Sequence, residues 1–245
     1  MENNFTYRQY LNIINKFLDK NYKIIFYQNF KNSFKKKLII RHDVDFSIEY
    51  AFKMAKIEKE NSIKSNYFFM LSSPFYNLFS KDSQRMIEEI SNFGHSVNLH
   101  FDASIYANLK NIKKYIKKEI IIFEKLIKKK CSIISFHRPS KELLCLKKNL
   151  IGFKHTYENN FFKKIGYVSD SSGYWKFGHP LEMKEFNENK SIQFLTHPIW
   201  WQNTNKPYKE KLNNFLQKKF SYFDNQLAVE CKSHNSGKVK INFND

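Results

Sequence analysis

Ten residues near the start of the chain, LIIRHDVDFS at positions 38–47, join an apolar strand to four polar side chains. The apolar run leads directly into Arg41, His42, Asp43 and, after one valine, Asp45. Burying an ionised group is costly unless the group is paired or bound to a metal ion. The stretch therefore marks either a solvent-facing strand end or a functional site.

The same pattern recurs at the ends of four later predicted strands. Their terminal ionisable residues are His100 and Asp102, His137 and Arg138, Asp170, and His197. Sites in α/β proteins are assembled where the carboxyl ends of parallel strands meet. Five strands that end in such residues favour a site over five unrelated surface groups.

Metal-assisted hydrolysis is the chemistry that suits this set of residues. A carboxylate and imidazoles can hold a divalent ion, which polarises a carbonyl group and lowers the pKa of a bound water. A second carboxylate can accept the proton of that water, and a later histidine can protonate the leaving amine. An arginine can orient the base and keep it ionised. The alternative, a Ser/His/Asp hydrolase, lacks a GxSxG motif in this sequence.

Strand and helix patterns alternate along the chain, which predicts an α/β fold with a parallel sheet or barrel. The spacing predicts helices over about 6–20, 47–60, 82–94, 108–130 and 207–230. It predicts strands at 23–27, 37–42, 65–71, 95–101, 131–137, 166–172 and 191–198. No linker or repeat divides the 245 residues, so we expect a single domain. Within it we distinguish an N-terminal extension (1–36), a core (37–201) and a C-terminal helix and tail (202–245).

Composition narrows the class of protein further. The 42% hydrophobic and 17% aromatic content excludes a disordered chain. The three cysteines have no CxxC spacing, so a disulfide framework is not expected. The N-terminal stretch has neither the basic start nor the apolar block of a signal peptide, and no apolar run approaches the roughly 20 residues of a membrane span. The expectation is a cytoplasmic protein.

The formal net charge of +19 has two interpretations. Four of the 42 basic residues are arginines, which leaves 42 − 4 = 38 lysines. Proteins that read nucleic acid favour arginine, so a specific nucleic-acid partner is not expected. Solvated lysine surfaces are the favoured interpretation of this charge. An anionic partner, such as a nucleotide-sugar, a lipid pyrophosphate or a membrane surface, is the other interpretation.

The order of the polar motifs resembles that of the polysaccharide deacetylase (NodB-homology, carbohydrate esterase family 4) superfamily, in its divergent HDVD branch. The motifs are RHDVD, GHSVNLHFDAS, HRPS, SDSSGYW and LTHP, between Leu38 and Trp201. The resemblance implies a single distorted (β/α) barrel that hydrolyses an N-acyl group, such as an acetyl group, of an amino sugar.

The resemblance also implies roles for individual residues. Asp43 is the expected base, Arg138 its partner and His197 the acid, while Asp45 and His100 are the expected ligands of a divalent ion. The implied ion is zinc, with cobalt or nickel as alternatives. The sequence departs from the family pattern at Ser104, where a second histidine ligand is usual, so a third ligand is missing.

His137 and Asp102 are the candidates for the third ligand or for a substrate contact. We assign Asp170, Trp175 and Trp200 to substrate binding. The indole rings of the two tryptophans can stack on a sugar. The expected substrate is an N-acylated precursor of a surface glycan, nucleotide- or lipid-linked, and the basic surface allows peripheral contact with a membrane. The alternative function is an inactive, deacetylase-like carbohydrate-binding domain.

Overall fold

A computed structural model of the chain describes residues 5–31, 35–106, 109–145 and 151–237. Internal contacts divide the chain into two compact units, Met1–Thr204 and Asn205–Asp245. All the strands and all the predicted site residues belong to the first unit. The expectation of one domain over the whole chain stays a prediction.

The first unit is built on a sheet of parallel strands. The described strands are β1 (Lys23–Ile24), β2 (Lys37–Val44), β3 (Asn66–Phe69), β4 (Ser96–Asp102), β5 (Ile134–His137), β6 (Gly166–Ser169) and β7 (Ile192–Thr196). Their order is β5-β4-β3-β2-β7-β6, and β1 pairs with the start of β2. Every pairing between these described strands is parallel. The predicted α/β fold is confirmed: the strands curl into an open, distorted barrel with helices around them.

Helices connect the strands, as the alternating pattern predicts. The described α-helices are α1 (Tyr7–Asp19), α2 (Ile48–Glu60), α3 (Lys81–Asn92), α4 (Ile112–Ile127), α5 (Lys141–Cys145), α6 (Asn159–Phe162), α7 (Lys184–Asn187) and α8 (Tyr208–Glu230). Ser47 caps α2 by accepting a hydrogen bond from the Tyr50 amide. Gly94, at φ 93°, follows the end of α3 in the left-handed region. In the described ranges, no helix is both long and apolar enough to cross a membrane.

Five of the seven predicted strands are shorter in the structure than in the sequence pattern. The first is reduced to two residues, and β5 begins at Ile134 although the apolar run starts at Cys131. The strand predicted over 166–172 ends at Ser169, because the chain enters a 3-10 turn at Ser171–Gly173. This early end places Asp170 at the carboxyl edge of the sheet, beside the other polar strand ends.

The gap between β5 and β6 is partly filled by the segment that precedes α6. His155 forms a single parallel bridge to Ile134 of β5. From the other side, the Gln193 side chain of β7 donates a 2.9 Å hydrogen bond to the Phe161 carbonyl. The Tyr27 hydroxyl donates to the same glutamine. These contacts close the interior below the polar strand ends, so the site has a packed base.

A buried carboxylate, Glu58 of α2, fixes helices to the outer face of the sheet. Glu58 has no solvent exposure, and hydroxyl and imidazole groups from four other parts of the fold surround it. These neighbours are Tyr10, His42, Ser65, Tyr67 and His95. Burial raises the pKa of Glu58, but the charge and hydrogen bond of His42 and the other donors outweigh it and lower the pKa to about 2.

Glu58→Gln is expected to lower the free energy of unfolding and to flatten its pH dependence. The native carboxyl has a pKa of about 2, below its ordinary 4.5, so its contribution is full above pH 4.5 and is lost as pH falls towards 2. A shift of that size corresponds to roughly 3 kcal/mol at neutral pH. Urea unfolding between pH 3 and 7 measures this. The exposed Glu60→Gln is the control, and equal effects of the two substitutions would contradict the prediction.

Candidate metal centre and active site

Three side chains converge at the carboxyl ends of β2, β4 and β5. Asp45 directly follows β2, His100 lies near the end of β4, and His137 is the last residue of β5. Asp45 Oδ1 lies 3.1 Å from His100 Nε2 and 3.4 Å from His137 Nδ1. One ligand atom from each residue lies within 4.8 Å of the other two. The structure thus brings one of the two third-ligand candidates, His137, to Asp45 and His100.

The arrangement of these atoms fits a divalent ion. Asp45 Oδ1 is buried, lacks a well-aligned hydrogen-bond donor and lies close to two imidazole nitrogens. A buried oxygen without a donor is costly, and a cation would satisfy it. Ligand bonds of about 2.0–2.2 Å place the atoms of a tetrahedral zinc site roughly 3.3 Å apart. The separations of the two imidazole nitrogens from Asp45 Oδ1, 3.1 and 3.4 Å, match that spacing, and three protein ligands would leave one position open for substrate or water.

The surroundings of the cluster prepare it for this role. His100 Nδ1 lies 2.6 Å from Ser135 Oγ. Donation of the Nδ1 proton to that hydroxyl would leave the lone pair of Nε2 available to an ion. Burial raises the pKa of Asp45, but the neighbouring His100 and His137 lower it by more, so the pKa lies well below its ordinary value. Asp45 is therefore an anionic ligand at neutral pH.

Asp43 lies beside this cluster and is held by an arginine of its own strand. Arg41 Nε donates to Asp43 Oδ1 at 2.8 Å, and Arg41 Nη2 donates to Oδ2 at 2.6 Å. Both side chains are buried. Burial raises the pKa of Asp43, but Arg41 and then His100 lower it below its ordinary value. Asp43 Oδ2 lies 3.7 Å from His100 Nε2, so the carboxylate is next to the candidate ion.

The guanidinium partner of Asp43 is thus not the one predicted from the sequence. We expected Arg138, but the structure gives this place to Arg41. Residues two apart on a strand project from the same face, which brings Arg41 and Asp43 together. Arg138 is exposed and lies directly after His137, with a φ of 43° in the left-handed region.

His197 faces the cluster from the other side and is oriented by Asp170. Asp170 Oδ1 lies 2.6 Å from His197 Nδ1, and the carboxylate also accepts from the His197 amide and from Trp201 Nε1. His197 Nε2 lies 3.8 Å from Asp45 Oδ2. Burial lowers the pKa of His197, but Asp170 raises it by more, to about 9. At neutral pH His197 therefore carries a proton on the nitrogen that faces the cluster.

Asp170→Asn is expected to move the alkaline limb of the pH–rate profile at least about one unit lower. A reaction that needs the His197 proton is lost as pH rises through the pKa of His197, and Asp170 holds that pKa near 9. The acid limb, which follows Asp43, should stay in place. Rates measured from pH 5 to 10 test this, with the neighbouring Ser169→Ala as the control. An unchanged alkaline limb would rule out His197 as the titrating acid.

The remaining predicted site residues lie outside the cluster. Asp102 Oδ1 accepts from the Ser104 amide and hydroxyl, at 2.9 and 2.7 Å, so this carboxylate caps a turn. Asp170, assigned to substrate binding, is fully buried behind His197. The Trp175 ring packs against Phe5, Phe194 and Trp201. The ring centroid of buried Trp200 lies 6.1 Å from that of Phe46, the residue that follows Asp45 in the chain. Of the two tryptophans, Trp200 is thus the one near the cluster.

A carboxylate–imidazole–hydroxyl array also exists, on the opposite face of β2. His42 Nε2 lies 3.0 Å from Glu58 Oε1, and His42 Nδ1 lies 2.6 Å from Thr196 Oγ1. The order of groups resembles that of a hydrolase triad. All three residues are fully buried, so no substrate reaches the hydroxyl. The array belongs to the packing behind the site, as the alternation of His42 with Asp43 predicts.

No protein-family model and no curated protein matches the sequence. Solved structures do match. A family 4 carbohydrate esterase from Bacillus anthracis has 15% sequence identity and a TM-score of 0.45, covering 86% of each chain. A chitin deacetylase from Colletotrichum lindemuthianum has 14% identity and a TM-score of 0.46, covering 80% of this chain and 86% of that one.

A CE4 family pseudoenzyme from Bacillus anthracis matches with 14% identity and a TM-score of 0.43. That alignment covers 77% of this chain and 62% of the other, so this chain spans less than two thirds of that protein. At these identities and TM-scores, the matches assign no activity and no residue roles to this chain.

Proposed function

We propose that the protein hydrolyses an N-acyl group, such as an acetyl group, from an amino sugar with the help of a divalent metal ion. The observation that carries the proposal is the buried Asp45 Oδ1, which lies between two imidazoles without a hydrogen-bond donor, next to the Arg41-paired Asp43 and with His197 Nε2 3.8 Å from Asp45 Oδ2. Asp45, His100 and His137 would hold the ion. Zinc suits this set of ligands, with cobalt or nickel as alternatives.

When bound, the ion would supply Lewis acidity at the acyl carbonyl and at a water molecule. The residues of the chain would move the protons. Asp43, fixed in plane by the two Arg41 hydrogen bonds, takes a proton from the water that attacks the acyl carbon. His197 Nε2 gives its proton to the sugar nitrogen as the carbon–nitrogen bond breaks. The products are a carboxylate and a free amine.

This assignment of acid and base follows from the opposite pKa directions of the two groups. The pKa of Asp43 is lowered, so it is an ionised base at neutral pH, while His197 has a pKa of about 9 and remains an acid. Environments that push two pKa values apart are typical of acid–base pairs in enzymes. The sequence retains a residue for each step, which favours an enzyme over the inactive carbohydrate-binding alternative.

Acetate release tests the proposed function directly. The protein is stripped with a chelator and reloaded with zinc, cobalt or nickel. It is then incubated with N-acetylglucosamine, its nucleotide-linked form and N-acetylated oligosaccharides. We expect release with at least one substrate, loss with the chelator and recovery with metal. Fully metal-loaded protein that binds these sugars but releases no acetate would instead support the binding domain. A cytoplasmic role in surface-glycan synthesis is part of the proposal.

A further inference from the structure

The arginine displaced from the predicted ion pair is in a position to bind substrate. Arg41 already supplies both hydrogen bonds to Asp43. Arg138 is exposed, and the ion pairs seen among the described residues do not include it. Arg85, by comparison, pairs with Glu89 of its own helix. Within the described part of the chain, Arg138 is thus a guanidinium without a carboxylate partner, directly after the candidate ligand His137.

The backbone conformation fixes the position of the Arg138 Cα atom. Arg138 has a φ of 43°, a backbone conformation that residues other than glycine rarely adopt. The surrounding structure must therefore stabilise it. It directly follows His137, so the two Cα atoms are about 3.8 Å apart. The extended side chain reaches roughly 6–7 Å beyond its Cα. The span of this side chain is thus long enough to connect the strand end at His137 with a group of a bound substrate.

The chemistry of arginine selects the kind of group. A guanidinium binds carboxylate or phosphate through two parallel hydrogen bonds, which lysine cannot do. The chain has 38 lysines and only four arginines, and one of these four guanidinium groups is at this position. In a 2-acylamino sugar, the anomeric carbon is bonded to the carbon that bears the acylamino group. A phosphate on the anomeric oxygen then lies roughly 5–6 Å from the acyl carbon, a distance set by ordinary bond lengths.

We propose that Arg138 binds an anomeric phosphate, so that the substrate is an N-acylated amino sugar linked through its 1-phosphate. This inference rests on the proposed function and specifies its substrate class. Sugar 1-phosphates, nucleotide-sugars and lipid pyrophosphate-linked sugars share that phosphate. The binding energy of the guanidinium–phosphate contact would orient the acylamino group toward Asp43 and His197.

The test compares charged and neutral substrates in matched variants. We expect kcat/KM for N-acetylglucosamine 1-phosphate to exceed that for the neutral methyl glycoside at least about tenfold. Arg138→Gln should remove this advantage and leave the methyl glycoside within about threefold, and Arg138→Lys should restore it in part. Lys141→Gln, which removes a nearby exposed cation, is the control. UDP-N-acetylglucosamine and a lipid pyrophosphate-linked N-acetylglucosamine then distinguish the sources of the phosphate.

A binding measurement separates this proposal from the proposed hydrolysis. Calorimetry with glucosamine 1-phosphate requires no turnover. Binding that Arg138→Gln weakens at least about tenfold, and that Lys141→Gln leaves unchanged, would support the phosphate contact even if no acetate were released. Equal handling of the phosphorylated and neutral sugars by the native protein would overturn it. An equal loss for both sugars in Arg138→Gln would overturn it as well.

Discussion

Asp43→Asn is expected to lower the turnover of N-acyl hydrolysis by about 10²–10⁴-fold while the protein still binds its metal ion. The amide keeps the shape of the side chain but has no basicity, so the attacking water keeps its proton. Asp43 lies outside the three proposed ligands, with Oδ2 3.7 Å from His100 Nε2. Acetate release and metal content, measured on the same preparation, separate these two effects.

The same substitution also leaves the buried Arg41 without its anionic partner. Loss of one member of a buried ion pair typically costs about 3–5 kcal/mol of stability. Turnover is therefore measured at a temperature at which circular dichroism shows the variant to be folded. Asp102→Asn, a buried carboxylate at the next polar strand end, is the matched control and should retain most of its activity. Near-normal turnover of folded Asp43→Asn would exclude Asp43 as the base.

His100→Ala and His137→Ala are each expected to weaken metal binding at least about 100-fold. Each substitution removes one of three protein ligands, and even residues that only orient a ligand contribute about 10–100-fold. Competition with a chromogenic chelator measures the affinity for zinc. Asp102→Asn should bind zinc as the native protein does, because its carboxylate is engaged by Ser104. Full affinity in His137→Ala, with loss in Asp102→Asn, would reverse our choice of the third ligand.

The sequence predicts the frame of this fold well because its apolar periodicities are regular. The alternation of strands and helices follows from local patterns that tertiary packing did not override, and Ser47 and Gly94 stand at the helix ends where their residue types are favoured. Glu58 shows the limit of this approach. It lies in a charged stretch, KIEKE, that is typical of a solvated helix surface, yet its carboxylate is fully buried. Only the packing of α2 against the sheet reveals that.

The sequence predicts where the site residues lie better than it predicts which of them contact each other. The sequence places the polar residues at the carboxyl ends of the strands, and the structure gathers them there. The sequence could not choose between His137 and Asp102 as the third ligand. Asp102 of β4 and His137 of β5 are paired in register and project from the same face of the sheet. The choice depends on local hydrogen bonds, since Ser104 engages Asp102.

The two positioning contacts of the site differ in how predictable they were. The Arg41–Asp43 pair follows from the two-residue period of a strand and was within reach of the sequence. The His197–Asp170 pair depends on β6 lying next to β7 and on the turn that ends β6 early. Such long-range register has no local signature. A single sequence therefore indicates the candidate catalytic groups more readily than the residues that position them.

Anomalous diffraction from crystals soaked in zinc, recorded on both sides of the zinc absorption edge, shows directly whether the three residues bind an ion. We expect one strong anomalous peak within about 2.3 Å of Asp45 Oδ1, His100 Nε2 and His137 Nδ1. That peak should disappear in His100→Ala crystals and persist in Asp43→Asn crystals. A cluster without an anomalous peak in fully soaked native crystals, or a peak held by other residues, would contradict the metal centre on which the proposed chemistry depends.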